Sequence, residues 1–226
     1  MAEGMTERTK TRPTPRAGRG PSREKTAQTR RGIVDAALSE FQEKGYADTT
    51  MDGVAKRAGV AKGTPYRYFQ AKEALFEAVV REKIAGALID ADPGNRRPDE
   101  TVAAFLRRTM LVSMREIERN GRAAIARLVL AEGARFPAMA DIYRRAMFEP
   151  LLEQIRTLAA TARSTGELRR PELEEYPHLL IAPIWFAIIH NGLLDRDHPL
   201  DIGDLFEAHL DLVFDEKPSR PGKGNS

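Results

Sequence analysis

The chain has 226 residues, 42% of them hydrophobic and 31% charged, with a net charge of +3. That is enough apolar material for one large domain or for a small domain fused to a larger one. It has no cysteine, which excludes a disulfide framework and thiolate metal sites. The charge is lopsided: residues 1–31 carry nine Lys and Arg against three Glu, and the remainder sums to −3. A basic end attracts phosphate, while an acidic remainder resists unspecific sticking.

Residues 1–22 are rich in Pro, Gly, Thr and Arg and lack a hydrophobic period. They read as a disordered basic arm. Such an arm can follow a minor groove or phosphates, or remain a solvated tail that adds only nonspecific affinity. No apolar h-region marks a signal peptide. The most apolar stretch, residues 179–194, contains Pro183, His190 and Asn191 and is shorter than the roughly 18 to 20 residues a membrane span needs. The expected location is therefore the cytoplasm, in association with the nucleoid.

A first helix is predicted over residues 26–44, where Ile33, Val34, Ala37, Leu38 and Phe41 form one stripe. Gly45 ends it in a left-handed conformation, and Tyr46 packs back on the stripe. A second helix starts after Thr49 or Thr50, whose hydroxyls suit an N-cap, with Met51, Val54, Ala55 and Ala58 on the buried face. Gly53 inside it costs about 1 kcal/mol relative to Ala. Gly59 and Val60 form a turn, and a third helix is predicted over residues 61–68. A fourth is predicted over residues 72–91, stopped by Pro93 and Gly94. Further helices are predicted over residues 99–119, 122–135, 137–163, 174–194 and 201–214. Pro183 is expected to kink the fourth of these. No strand alternation persists, so the chain is all-α.

The third helix carries the chemistry. Lys62 can reach phosphate or a guanine edge, and Gly63 lets the backbone come close to DNA. Thr64 can meet a thymine methyl or a phosphate. Tyr66 and Tyr68 offer hydroxyls, Arg67 suits bidentate contact with guanine, and Lys72 adds a phosphate contact. Packing alone is the competing explanation of this stretch. It suits Phe69, which is expected in the core.

Residues 29–80 resemble the DNA-binding domain of the tetracycline-repressor (TetR/AcrR-like) family of bacterial regulators. The matching residues are Phe41, Gly45-Tyr46, Thr49-Thr50, Val54-Ala55, Ala58-Gly59-Val60, Lys62-Gly63-Thr64, Tyr66, Tyr68-Phe69, Lys72-Glu73 and Leu75-Phe76. The resemblance implies an N-terminal three-helix helix-turn-helix domain over residues 23–72. It also implies a helical effector-binding and dimerisation domain over residues 73–215, with a flexible tail over 216–226. It places Thr50, Met51, Lys62, Thr64, Tyr66, Arg67, Tyr68 and Lys72 at operator-contacting positions, Thr50 capping the second helix beside a phosphate. Pro65 departs from the family pattern, which has an apolar residue there. Pro lacks an amide, so base preference is the property it puts in doubt.

In the second half, Phe105, Met110, Met114, Arg127, Tyr143, Met147, Trp185, Phe186 and His190 are candidate pocket residues, since Met and aromatic side chains suit an adaptable apolar pocket. At helical spacing they also suit ordinary core. Arg127 needs an anionic partner if buried, either Glu132 or a ligand carboxylate; a surface ion pair is the simpler arrangement. A local stretch from Arg127 to Ala140, containing Leu130-Ala131-Glu132 and Arg135-Phe136-Pro137, resembles a helix junction in one branch of these regulators. Residues 179–194 and 205–214 are apolar enough to pack across a two-fold axis. The four His match no zinc spacing. No phosphate loop, nucleophile elbow or HExxH is present, so no enzyme, metal or cofactor is expected. The reading is a homodimeric, ligand-responsive repressor of a palindromic operator. Its rivals are a sequence-nonspecific DNA-binding protein and a helical carrier or enzyme with a vestigial DNA motif.

Overall fold

The computed structural model describes residues 23–85, 88 and 92–215; the predicted arm and tail lie outside them, as does the end of the predicted fourth helix. Helix α1, Arg23–Asp48, buries Ile33, Val34, Ala37 and Phe41. It is broken at Gly45, where φ is 78° and ψ 179°. Only glycine adopts this combination readily. Helix α2, Met51–Arg57, is capped by Thr50, whose hydroxyl accepts from the Gly53 amide at 3.1 Å. Thr49 is buried and donates to the Gly45 carbonyl instead. Gly53 earns its place by close approach: a Cβ there would sit 3.0 Å from Glu40 Oε2 and 3.2 Å from Thr50 Oγ1.

The predicted third helix is shorter than expected. It is a single 3-10 turn, Pro65–Arg67, reached through a turn in which the Thr64 amide bonds the Ala61 carbonyl at 2.8 Å. Pro65 has no amide to bond that same carbonyl from position i+4, so an α-helical ladder cannot begin there. Helix α3, Lys72–Val79, continues as a wide π-helical turn, Val80–Ile84. Arg30 and Asp35 of α1 pair with Glu82 and Lys83 of that turn.

The larger half begins with α4, Val102–Leu106, which continues through a π-helical turn, Arg107–Leu111, to Val112–Arg115. Its first turn is capped twice. Thr101 accepts from Ala104, and the buried Glu167 carboxylate accepts from Val102 at 2.6 Å. Then come α5, Arg122–Glu132, and α6, Pro137–Tyr143. A wide turn, Arg144–Phe148, leads into α7, Glu149–Thr165, which ends at the left-handed Gly166. The helix expected over residues 174–194 is interrupted at Tyr176 and Pro177. It forms a one-turn α8, Glu172–Glu175, and α9, His178–Ile189, which runs through Pro183 to a last wide turn, His190–Leu194. Helix α10, Ile202–Val213, packs on α9.

Two apolar clusters result. One joins α4, α7, α9 and α10 around residues such as Phe105, Ile155, Ile184 and Phe206. The other holds α1, α2 and α3 together around Phe41, Tyr46, Phe69 and Phe76, and also takes in Ile125 and Leu128 of α5 and Met139 and Ile142 of α6. The N-terminal helices therefore close their core with side chains from the second half. Phe41, Tyr46 and Phe76 pack with ring centroids 5.2–5.7 Å apart, a separation at which aromatic edges and faces attract.

Candidate nucleic-acid interface and effector cavity

The turn after α2 displays one polar face. Tyr66 is 53% exposed, Lys62, Gly63 and Arg67 are exposed, and Thr64 and Tyr68 are half-buried. Pro65 and Phe69 point inward, so the short turn is anchored by two apolar residues while its charged residues face solvent. Nothing lies within 4 Å of where a Gly63 Cβ would stand. The Lys62 ammonium lies 2.8 Å from Asp52 of α2, and this carboxylate raises its pKa. Among the described residues, Arg67 has no ion-pair partner.

Two expected DNA contacts face elsewhere. Met51 is 7% exposed and belongs to the core, because the first turn of α2 presents that position to α1. Lys72 turns back on the chain. Its ammonium donates to the Tyr46 and Ala47 carbonyls, the latter at 3.2 Å, and lies 4.4 Å from the Tyr46 ring centroid. A cation satisfied in this way serves the fold.

Behind this face Glu40 is buried at the contact of α1 and α2. It accepts from Lys44 at 2.6 Å and from Arg57 at 2.7 Å. The Lys44 hydrogen bond, with Arg57 behind it, holds its carboxyl below the usual glutamate value against the opposing effect of burial.

In the second half, a cavity of about 60 Å³ lies between the end of α3, α4, α5, α6 and α9. Of the expected pocket residues, Met110, Met114, Tyr143, Met147 and Trp185 line it. Trp185 meets Tyr143 and Phe148 edge-on, and burial pushes the Tyr143 hydroxyl pKa up, so it stays protonated. Three of the wide turns reach the lining through Ile84, Met110 and Met147. Such turns recur at functional sites.

The other four expected pocket residues lie outside the lining. Phe105 is fully buried in the α4 core. Phe186 is 53% exposed and stands beside His190 on the outer face of α9. Arg127 lies across Gly192 in a separate, open groove and pairs with Glu118 at 2.9 Å rather than with Glu132. Residue type alone marked these positions; it does not say which side of a helix is hollow. Sequence reasoning missed Ser113 and Arg122, which also line the cavity and are joined by a hydrogen bond from Arg122 to Ser113. They are nine residues apart, and no local signal pairs them.

Two family models match the chain: bacterial regulatory proteins of the tetR family over residues 33–79, and the tetracyclin repressor-like C-terminal domain over residues 98–204. The chain belongs to the tetR family of bacterial regulatory proteins. It is 36% identical over 66 residues to the HTH-type transcriptional regulator SrpR of Pseudomonas putida, a match covering 29% of this chain and 31% of that one. It is 27% identical over 165 residues to the uncharacterized HTH-type transcriptional regulator YdeS of Bacillus subtilis, covering 73% and 80%. The chain thus spans about a third of SrpR, and 49% of a second Pseudomonas putida relative, TtgW. Among solved structures, the SmeT–triclosan complex superposes with a TM-score of 0.69 at 22% identity, covering 88% of this chain and 98% of that one. At that identity the likeness establishes the fold.

Proposed function

We propose that the chain is a homodimeric repressor that reads a palindromic operator through residues 62–68 and is released when a small apolar molecule occupies the cavity. The observation that carries this reading is the turn itself. Lys62, Tyr66 and Arg67 project from a short element that Pro65 and Phe69 anchor to the core. A helix-turn-helix presents such an element to the major groove. The cavity supports the second half of the proposal. Its lining of Met, aromatic and aliphatic side chains suits a hydrophobic ligand. SmeT, a repressor of a multidrug efflux pump in Stenotrophomonas maltophilia, was solved with triclosan; a compact diaryl molecule is a reasonable first trial here.

The outer faces of α9, the turn that follows it and α10 support dimerisation. Phe186, Leu193, Leu194 and Leu212 stand exposed there, Leu212 at 73%. An apolar face of this kind needs a partner, and a second copy supplies it with two-fold symmetry. No helix among the described residues is long and apolar enough to cross a membrane. The protein acts as a regulator where the DNA is, in the cytoplasm, and performs no catalysis.

Selection of the purified protein against random duplex DNA at physiological salt tests this. Enrichment of a palindrome is expected. Arg67→Ala should then relax preference at one base pair by about 1–3 kcal/mol, whereas Lys62→Ala should weaken all sequences together. Binding that enriches nothing and collapses as salt rises would favour nonspecific electrostatic attachment.

A further inference from the structure

The junction from Arg127 to Ala140, singled out in the sequence, has a position in the fold that the DNA face and the cavity do not explain. Glu132, the last residue of α5, reaches across to the corner between α1 and α2. Its Oε1 accepts from the Tyr46 amide at 3.0 Å and its Oε2 from the Ala47 amide at 2.9 Å. Lys72 takes the carbonyls of the same two residues from α3. Gly45 leaves the room this needs, since a Cβ there would lie 2.5 Å from Glu132 Oε1. Phe136, just beyond Glu132, packs its ring 5.1 Å from Tyr46, and Arg135 lies over Phe136. Three residues after Tyr46 and Ala47 come Thr49 and Thr50, the second of which caps α2.

The other end of α5 faces the cavity. Arg122 and Ala126 line it. From Ala126 to Glu132 is six residues, about 9 Å of helix. Beyond the junction, α6 returns to the same cavity through Tyr143. Two cavity walls therefore meet at the carboxylate that holds the corner. The cavity, at about 60 Å³, is far below the roughly 300–1,000 Å³ that a drug-sized ligand occupies. A drug-sized ligand requires the walls to separate, and a close-packed helix moves as a unit rather than yielding locally.

We propose that Glu132 is the positioning residue through which the cavity is read by the DNA-binding helices: its carboxylate holds Tyr46 and Ala47 while the cavity is closed, and withdraws from them when α5 shifts to admit a ligand. The proposal rests on the reading of the cavity as the effector site. Charge-assisted bonds to two backbone amides are strong and directional, so a small displacement of α5 loses both together.

Amide hydrogen exchange on the full chain tests this without DNA and without the natural ligand. In the wild type the Tyr46 and Ala47 amides should be protected. Glu132→Ala should speed their exchange by about tenfold or more, while amides inside α7, such as Ala159, stay protected. The decisive variant is a wedge, Ala126→Phe, which crowds the cavity from α5 and stands in for a ligand. It should deprotect Tyr46, Ala47 and the Gly53 amide at the α2 cap. In the Glu132→Ala background the same wedge should leave Gly53 unchanged, a non-additivity that a purely structural Glu132 would not produce. If Ala126→Phe does not fold, Met147→Trp supplies the wedge from the opposite wall. A folded wedge variant with full protection at Tyr46 and Ala47 overturns the proposal, as does a wedge effect on Gly53 that survives loss of Glu132. A DNA selection that enriches no palindrome would overturn the proposed function while leaving this exchange result intact.

Discussion

The corner between α1 and α2 and the cavity behind α5 are built on opposite principles. At the corner, specific side chains hold specific backbone groups. Gly45 supplies a conformation other residues avoid, Thr49 and Thr50 satisfy backbone groups, and Glu132 and Lys72 hold the amides and the carbonyls, respectively, of two consecutive residues. Around the cavity the side chains are adaptable. Three methionines and several aliphatic residues line it, and wide helical turns rather than regular α-helix deliver three of them. On the proposed function, an element that supports one DNA-reading shape needs fixed geometry, whereas a site that opens for a ligand needs walls with alternative packings.

The contrast can be broken by substitution. The largest effect is expected from Phe105→Ala, because Phe105 is fully buried in the α4 core and outside the cavity. It should cost about 3–5 kcal/mol. Met110→Ala at the cavity wall should cost less, since it enlarges a space that already exists. Urea titrations of the two variants compare them directly, and equal losses would erase the distinction between core and cavity drawn here.

Next comes Gly45→Ala. The left-handed φ costs about 1–3 kcal/mol, and the new Cβ collides with Glu132. The melting temperature should fall, and operator affinity should fall further than the loss of folded protein explains. A variant with normal melting and normal DNA binding would show that the corner is softer than its geometry.

A smaller effect, dependent on pH, is expected at Glu40. Its carboxyl is lowered in the folded protein by Lys44 and Arg57. The stability it contributes is therefore present above the usual glutamate value near 4.5. It is lost as pH falls through the lower, folded value. Glu40→Gln should destabilise at pH 7, and the gap from wild type should narrow on acidification. A gap that widens in acid would reverse the sign of the argument. The smallest change is Thr50→Ala, which removes the α2 cap at a cost of about 1 kcal/mol, visible as a modest shift in thermal melting.

The same contrast explains what the sequence made legible. Gly45, a threonine cap at 49 or 50, the turn at Gly59 and the inward Phe69 are decided within a few residues, so their spacing revealed them; the choice of Thr50 came from the resemblance. Pro65 was visible too, but its consequence, a 3-10 turn in place of a helix, depended on which carbonyl lost its partner. The joint was not legible. Glu132 binds amides 86 and 85 residues earlier in the chain, and no local rule distinguishes it from a solvated helix end. Lys72 looked like a phosphate ligand because it is a cation at the start of a helix just beyond the turn; its partners are backbone carbonyls 25 and 26 residues away. In the cavity, residue type found Met110, Met114, Tyr143, Met147 and Trp185 but also gathered Phe105, Arg127, Phe186 and His190, since side-chain chemistry does not reveal where helices part.

The central claim is that the folded turn at residues 62–68, rather than the basic residues 1–22, reads DNA. The most direct test compares the full chain with a chain starting at residue 23, on the selected palindrome and on a scrambled duplex, at one physiological salt concentration. The shortened chain should bind both duplexes more weakly by a similar factor and keep its preference for the palindrome, a ratio of about 10³ or more. A preference that vanishes with residues 1–22 would contradict the account and assign recognition to the arm.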